Sequence, residues 1–228
     1  MLRRIAVIAL ALAFAFGAGA IADAAPIEPG KLVKVMPLGD SITYGAPDPG
    51  YGGYRRLLGT LLATDGYLVD FVGSRRSGNA VQPGPNHEGH PGWTIPQIKT
   101  GIDSNRWLET YRPDMILLHI GTNDIFQGKA ASAADNLAAL LDDILMRLPD
   151  AQVIVAQIIG FRQAAGPDHM SFNAAIPRIV ASKAPRVSAV DMKDLLVPSD
   201  YADGVHPNAA GYDKMARAWE AAIRAVGK

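Results

Sequence analysis

The chain has 228 residues, 49% of them hydrophobic, with 22 Lys+Arg against 22 Asp+Glu and no cysteine. That length and apolar content suit one globular domain with a sizeable core and exclude a disordered body. The charge balance argues against nucleic acid or an anionic membrane surface as partner, and without cysteine neither a disulfide nor a lipoprotein anchor is available.

Arg3-Arg4, the apolar stretch Ile5–Phe16 and the small-x-small pattern Ala22-Asp23-Ala24 predict a secretory signal peptide over residues 1–24. The apolar stretch is too short to span a bilayer comfortably. The expected product is a single domain over residues 25–228, secreted or periplasmic, with no membrane contact after cleavage. Leu32–Gly39 is an apolar strand that ends at Gly39, followed by Asp40-Ser41. The Gly/Pro-rich loop 45–53 leads to a helix whose Tyr54, Leu57, Leu58, Leu61 and Leu62 recur at helical spacing, with Gly66 as its stop. Tyr67–Gly73 is the second strand. Residues 74–92 have no periodicity and predict a long loop, a feature that is usually functional or mobile.

A helix is expected from Pro96 to about Glu109, then a buried strand Met115–Ile120 ending in Gly121-Thr122-Asn123-Asp124. Ser132-x-x-Asp135 reads as a capping box for the next helix, and Gln152–Ile159 is the fourth strand. A helix follows over 168–183, with Pro177 expected to kink or end it. Arg186–Met192 is the fifth strand, and Asn208 is placed to cap a last helix that buries Tyr212, Met215, Ala216, Trp219 and Ile223. Strands alternating with helices predict an α/β fold: a flavodoxin-like three-layer α/β/α sandwich with a five-stranded parallel sheet, order 2-1-3-4-5.

In such a sheet the C-terminal strand ends share one edge, where ligands bind. Ser41 follows strand one, Gly92 lies in the connection after strand two, Asn123 follows strand three and His206 follows strand five. Taken singly these are weak signals, since Asp-Ser before a helix is usually a cap. Their convergence on one rim is much more specific. Gly-Asp-Ser-Ile-Thr-Tyr-Gly, then Gly92, then Gly-Thr-Asn-Asp, then Asp-Gly-Val-His-Pro-Asn resemble the four sequence blocks of the SGNH, or GDSL-type, hydrolases. The intervening Gly-Gly-Tyr-Arg at 52–55, Val-Asp-Phe-Val-Gly-Ser at 69–74 and His-Glu-Gly-His-Pro-Gly-Trp-Thr-Ile at 87–95 resemble the third family of carbohydrate esterases, which includes acetylxylan esterases.

The resemblance implies a serine esterase acting on an acetylated carbohydrate or other small ester. Ser41 would be the nucleophile, activated by His206 as general base, with Asp203 orienting the imidazole. The oxyanion hole would comprise the N–H groups of Ser41 and Gly92 and the Asn123 amide. Trp93 and Tyr44, beside the rim, are candidate surfaces for a sugar ring, although aromatics there are as often simple packing. Asp40 and Asp124 are expected to brace their turns, and His119 to be a core histidine. The His87-Glu88-x-His90 segment lacks the helical spacing of zinc proteases, so neither a metal nor another cofactor is expected. Alternatives are a lysophospholipase, thioesterase or arylesterase with the same machinery, or a non-catalytic carbohydrate-binding protein. A nucleotide-binding flavodoxin-like protein lacks its glycine-rich phosphate loop here.

Overall fold

The computed structural model describes residues 30–79, 83–160 and 166–226; the signal-peptide reading lies outside the described residues. Five parallel strands form the body of the sheet: β1 (Leu32–Gly39), β2 (Leu68–Phe71), β5 (Met115–His119), β6 (Gln152–Ala156) and β7 (Val187–Val190). Their spatial order is β2-β1-β5-β6-β7, the predicted 2-1-3-4-5. The sheet has seven strands among the described residues, two more than the five expected. The expected loop 74–92 contains two further strands, β3 (Arg75–Arg76) and β4 (Asn86–Gly89). β2 pairs with the first half of β1, and β4 takes over in parallel at Leu38 and Gly39, with β3 antiparallel beyond it.

Both faces of the sheet are covered because strand residues alternate sides. Val33 and Val35, Met115 and Leu117, and Ile154 and Ala156 pack on one face under α2 (Gly53–Thr64) and α8 (Ala209–Ala225). Met36 and Leu38, Ile116 and Leu118, and Val153 and Val155 pack on the other. There they meet α3 (Ile95–Asn105), α4 (Trp107–Tyr111), α6 (Ala130–Arg147) and α7 (Pro167–Ala181). Two short helices, α1 (Ser41–Tyr44) and α5 (Thr122–Phe126), start just past β1 and β5.

Several boundaries differ from expectation for identifiable reasons. The helix expected over 96–109 is two helices, because Arg106 adopts a left-handed conformation at φ 54°. Ser132 is inside α6 rather than its cap; Lys129 occupies that position, with no side-chain cap bond. Pro177 does not end α7. A proline frees the carbonyl four residues before it, and that carbonyl, on Asn173, accepts from Gln157 Nε2 at 2.8 Å. Asn208 does cap α8, its side chain accepting the Gly211 N–H at 3.1 Å.

The end of β1 is unusually close to its neighbour. A Cβ at Gly39 would lie 2.0 Å from the His119 carbonyl oxygen and 2.6 Å from Thr43 Oγ1. Backbone cannot yield as a flexible side chain can, so Gly39→Ala should destabilise the fold by at least the ~1–3 kcal/mol of a typical overpacked site. Urea unfolding of the variant checks this, and unchanged stability would mean that β1 and β5 separate freely.

Candidate active site

The nucleophile candidate is the first residue of α1. Asp40 is its N-cap, accepting the Ile42 N–H on Oδ1 at 2.9 Å. Helix N-terminal N–H groups lack intrahelical partners, so the Ser41 N–H points out of the turn. The other end of α1 is held from below by Arg55, which is 0% exposed. Its guanidinium donates to the Thr43 carbonyl, to the Gly84 carbonyl at 3.2 Å and to Ser77 Oγ at 2.6 Å. Ser77 Oγ in turn donates to the Tyr44 carbonyl at 2.8 Å and sits 3.0 Å from His87 Nε2. His87 Nδ1 accepts the Gly89 N–H at 2.9 Å, which places the ring proton on Nε2, toward Ser77. Burial, then the Arg55 charge, pushes the His87 pKa down to about 2.

His206 lies on a loop closed by a bridge between Tyr201 and Pro207 and by the Ala202 N–H on the His206 carbonyl at 2.9 Å. Its Nε2 is 2.9 Å from Ser41 Oγ, and its Nδ1 is 2.8 Å from Asp203 Oδ2. The other oxygen, Asp203 Oδ1, accepts the N–H groups of Val205 at 3.0 Å and His206 at 2.8 Å. Partial burial tends to raise the Asp203 pKa, but these backbone and imidazole donors outweigh it and hold the carboxyl below its ordinary range. A carboxylate on Nδ1 keeps the ring proton there and leaves Nε2 as an acceptor for the Ser41 hydroxyl.

Gly92 has φ +80°, a left-handed conformation, and a Cβ there would face open space. Its turn is fixed on both sides. The His90 N–H donates to the Gly39 carbonyl at 2.8 Å, and Asn123 Nδ2 donates to the Trp93 carbonyl at 3.0 Å. One Asn123 amide hydrogen is thereby used for positioning, and the second is left over. Asp124 accepts the Ile95 N–H at 3.0 Å, bracing α5 against α3. Ser41, His206 and Asp203 thus form a hydrogen-bonded chain, and hydrogen bonds from the Gly92 turn reach the end of β1 and Asn123.

The aromatic candidates are placed differently. Trp93 is half-buried and stacked on His90, with centroids 4.2 Å apart. Tyr44 is half-buried, its ring edge-on to His87 at 5.8 Å with the Arg75 guanidinium over it at 5.7 Å. His119 is buried, and burial pushes its pKa down to about 4. The His87–His90 segment is spent internally: Glu88 accepts from Ser74 and from His90 Nε2 at 2.9 Å. Among the described residues no group of three or more His, Asp or Glu side chains is arranged to hold a metal ion. A cavity of about 640 Å³ opens beside Asp203, lined by Met170, Leu196, Pro198 and Tyr201 among others. Sequence reasoning missed Arg55, Ser77 and Glu88 as supports. An arginine three residues before the buried Leu58 was the available signal, because that spacing puts it on the packed helix face.

The profile of the GDSL-like lipase/acylhydrolase family matches residues 38–214. The chain belongs to that family. It is 37% identical to the Clostridium thermocellum family 3 carbohydrate esterase, covering 87% of this chain and 100% of that one with a TM-score of 0.76. A family 3 carbohydrate esterase from Talaromyces cellulolyticus is 30% identical over 84% of this chain and 96% of that one, TM-score 0.71. The multidomain esterase of Ruminococcus flavefaciens is 34% identical over 215 residues, 82% of this chain, and the chain spans only 28% of that relative's length. Among the described residues no helix is long and apolar enough to cross a membrane.

The buried neutral His87 makes a prediction about acid stability. A group whose pKa falls from 6.5 to about 2 on folding contributes stability that is complete above 6.5 and declines as the pH falls toward 2. Each such histidine steepens the loss by ~1.4 kcal/mol per pH unit. His87→Gln should therefore flatten the dependence of unfolding free energy on pH by about that slope between about pH 6 and 4. Urea unfolding at a series of pH values measures it; an unaltered slope would show that His87 titrates freely in the folded protein.

Proposed function

We propose that this protein is an exported serine esterase that removes acetyl groups from xylan or a related polysaccharide. The observation that carries the reading is the continuous chain Ser41–His206–Asp203, with Oγ to Nε2 at 2.9 Å and Nδ1 to the carboxylate at 2.8 Å. In this reading Ser41 Oγ attacks the ester carbonyl carbon while its proton passes to His206 Nε2. The oxygen of the tetrahedral intermediate takes the charge and is met by the N–H groups of Ser41 and Gly92 and the free hydrogen of the Asn123 amide. Collapse breaks the bond to the sugar oxygen, which leaves as an alcohol carrying the proton from His206. Water then repeats the sequence on the acyl-serine, and acetate departs. Asp203 holds the ring proton on Nδ1 throughout and stabilises the imidazolium between steps.

The substrate class in this reading is supported by similarity to family 3 carbohydrate esterases, and export by the leader pattern at residues 1–24. Tyr44, beside the nucleophile, is offered as a surface for the sugar. Trp93 contributes less in this reading, because His90 already stacks on its ring. A second reading, hydrolysis of longer acyl esters, is favoured by one observation: the cavity beside Asp203 has Met170, Leu196 and Pro198 in its wall.

Released acetate from acetylated xylan, measured beside a chain-length series of nitrophenyl esters, separates the two. Acetyl esters should be cleaved fastest, and a clear preference for octanoyl esters would establish the second reading instead. Ser41→Ala should abolish turnover with the fold intact; near-normal turnover would eliminate the serine mechanism. Asn123→Ala should lower kcat by roughly 10²–10³ with little change in KM, as expected of a donor used only in the transition state. An unchanged kcat would remove Asn123 from the oxyanion hole.

A further inference from the structure

Asp40 directly precedes Ser41, and Thr122 directly precedes Asn123. Both are buried, and the Thr122 hydroxyl faces the Asp40 carboxyl. Asp40 Oδ1 accepts the Ile42 N–H at 2.9 Å, but among the described residues neither Asp40 Oδ2 nor Thr122 Oγ1 has a partner at ordinary hydrogen-bond distance. Asp124 Oδ1, one residue past Asn123, is also unpaired. Three unpaired buried polar atoms therefore sit in the two turns that carry the nucleophile and the amide donor. An ionised carboxylate at position 40, with one backbone N–H and the Thr122 hydroxyl as its available donors, would be costly to bury; a neutral carboxyl removes that charge and can itself donate to the Thr122 oxygen.

The geometry points to Asp40 as a neutral positioning residue that donates its carboxyl proton to Thr122 Oγ1 and so fixes the spacing between the Ser41 N–H and the Asn123 amide. The inference rests on the functional reading above, in which both groups serve the oxyanion. The titratable groups facing Asp40 are few. His206 approaches from the triad loop, Asp124 from α5, Tyr54 from α2 and Tyr212 from α8. Burial pushes Tyr54 up to about 12 and raises Tyr212 well above its ordinary value, so both stay uncharged. Asp124 favours the proton on Asp40, whereas the Ile42 N–H, an imidazolium at His206 and the Thr122 hydroxyl acting as donor oppose it. Burial is the largest influence and pushes Asp40 up to about 7.

The sign follows. Below about 7 Asp40 keeps its proton and the bridge stands. Above it the donor is lost, and a buried negative charge adjoins Ser41 in the turn that carries its N–H, so kcat falls. This alkaline limb is separate from the acid limb that protonation of a general base produces.

The experiment measures kcat and KM for nitrophenyl acetate across both limbs in the unaltered protein, Asp40→Asn, Asp40→Ala and Thr122→Val. Alongside it, an infrared titration follows the carbonyl stretch of a protonated carboxyl, with Asp40→Asn as blank. Asp40→Ala and Thr122→Val should lose about tenfold in kcat with little change in KM, the equivalent of one good hydrogen bond. Asp40→Asn keeps a donor for Thr122 and an acceptor for Ile42. It should restore most of what Asp40→Ala loses and should abolish the alkaline limb. The carbonyl band should vanish over the same pH range as that limb. A limb that persists in Asp40→Asn, an asparagine variant as impaired as the alanine one, or a missing carbonyl band would overturn the inference. The infrared arm needs no turnover. An unaltered protein inert toward nitrophenyl acetate would overturn the functional reading, while the band would still decide whether Asp40 carries the proton.

Discussion

A guanidinium enclosed, among the described residues, without a carboxylate partner underlies this site. Taking a cation out of water costs several kcal/mol unless its donors are met. Arg55 meets its need with oxygens alone: two backbone carbonyls and the Ser77 hydroxyl. Burial lowers its pKa only to about 10, so it stays charged at neutral pH. A charged donor that must be satisfied imposes a location on every oxygen around it. One is the Thr43 carbonyl of α1, and a second belongs to the stretch between β3 and β4. Through Ser77 it also reaches Tyr44 and His87, so the turn bearing Ser41, helix α2 and strand β4 are tied to one point.

That arrangement explains which parts were legible in the sequence. Strands β1, β2, β5, β6 and β7 are apolar runs, and their order follows from connection rules, so the sheet and the edge that carries the candidate site could be read. β4 could not. Its Asn-His-Glu-Gly sequence has no apolar pattern, and it is buried because its polar groups satisfy one another: His87 with Ser77, Glu88 with Ser74 and His90. Burial by mutual hydrogen bonding leaves no periodicity to detect. The break at Arg106 was likewise hidden, since a left-handed residue is announced by glycine or asparagine far more often than by arginine. α7 continues past Pro177, and the acceptor that the proline frees is met by a glutamine side chain distant in sequence.

Within the site the same contrast recurs. Asp203 and His206 are three residues apart, and one tight loop orients both, with two backbone donors on the acid. Their pairing is a local matter, and sequence spacing announces it. Ser41 is 165 residues from His206, and only the sheet brings them together. Gly92 and Asn123 reached the same rim by the position of their strands, but the bond from the Asn123 amide to the Trp93 carbonyl, which aims it, had no sequence signal. The stacking of Trp93 on His90 was hidden in the same way. An aromatic beside a cleft looks identical in sequence whether its face is open or taken.

The short strand β3 has a bearing on how the molecule behaves among its copies. Open sheet borders present unpaired N–H and C=O groups and invite pairing with another chain. Here the strand outside β4 is two residues long, Arg75–Arg76, and both side chains are exposed. A border this brief, carrying two positive charges, cannot register against a second copy of itself without placing like charges together. For a chain with no disulfide to restrain a partly opened sheet, that repulsion is a built-in guard against self-association at this border.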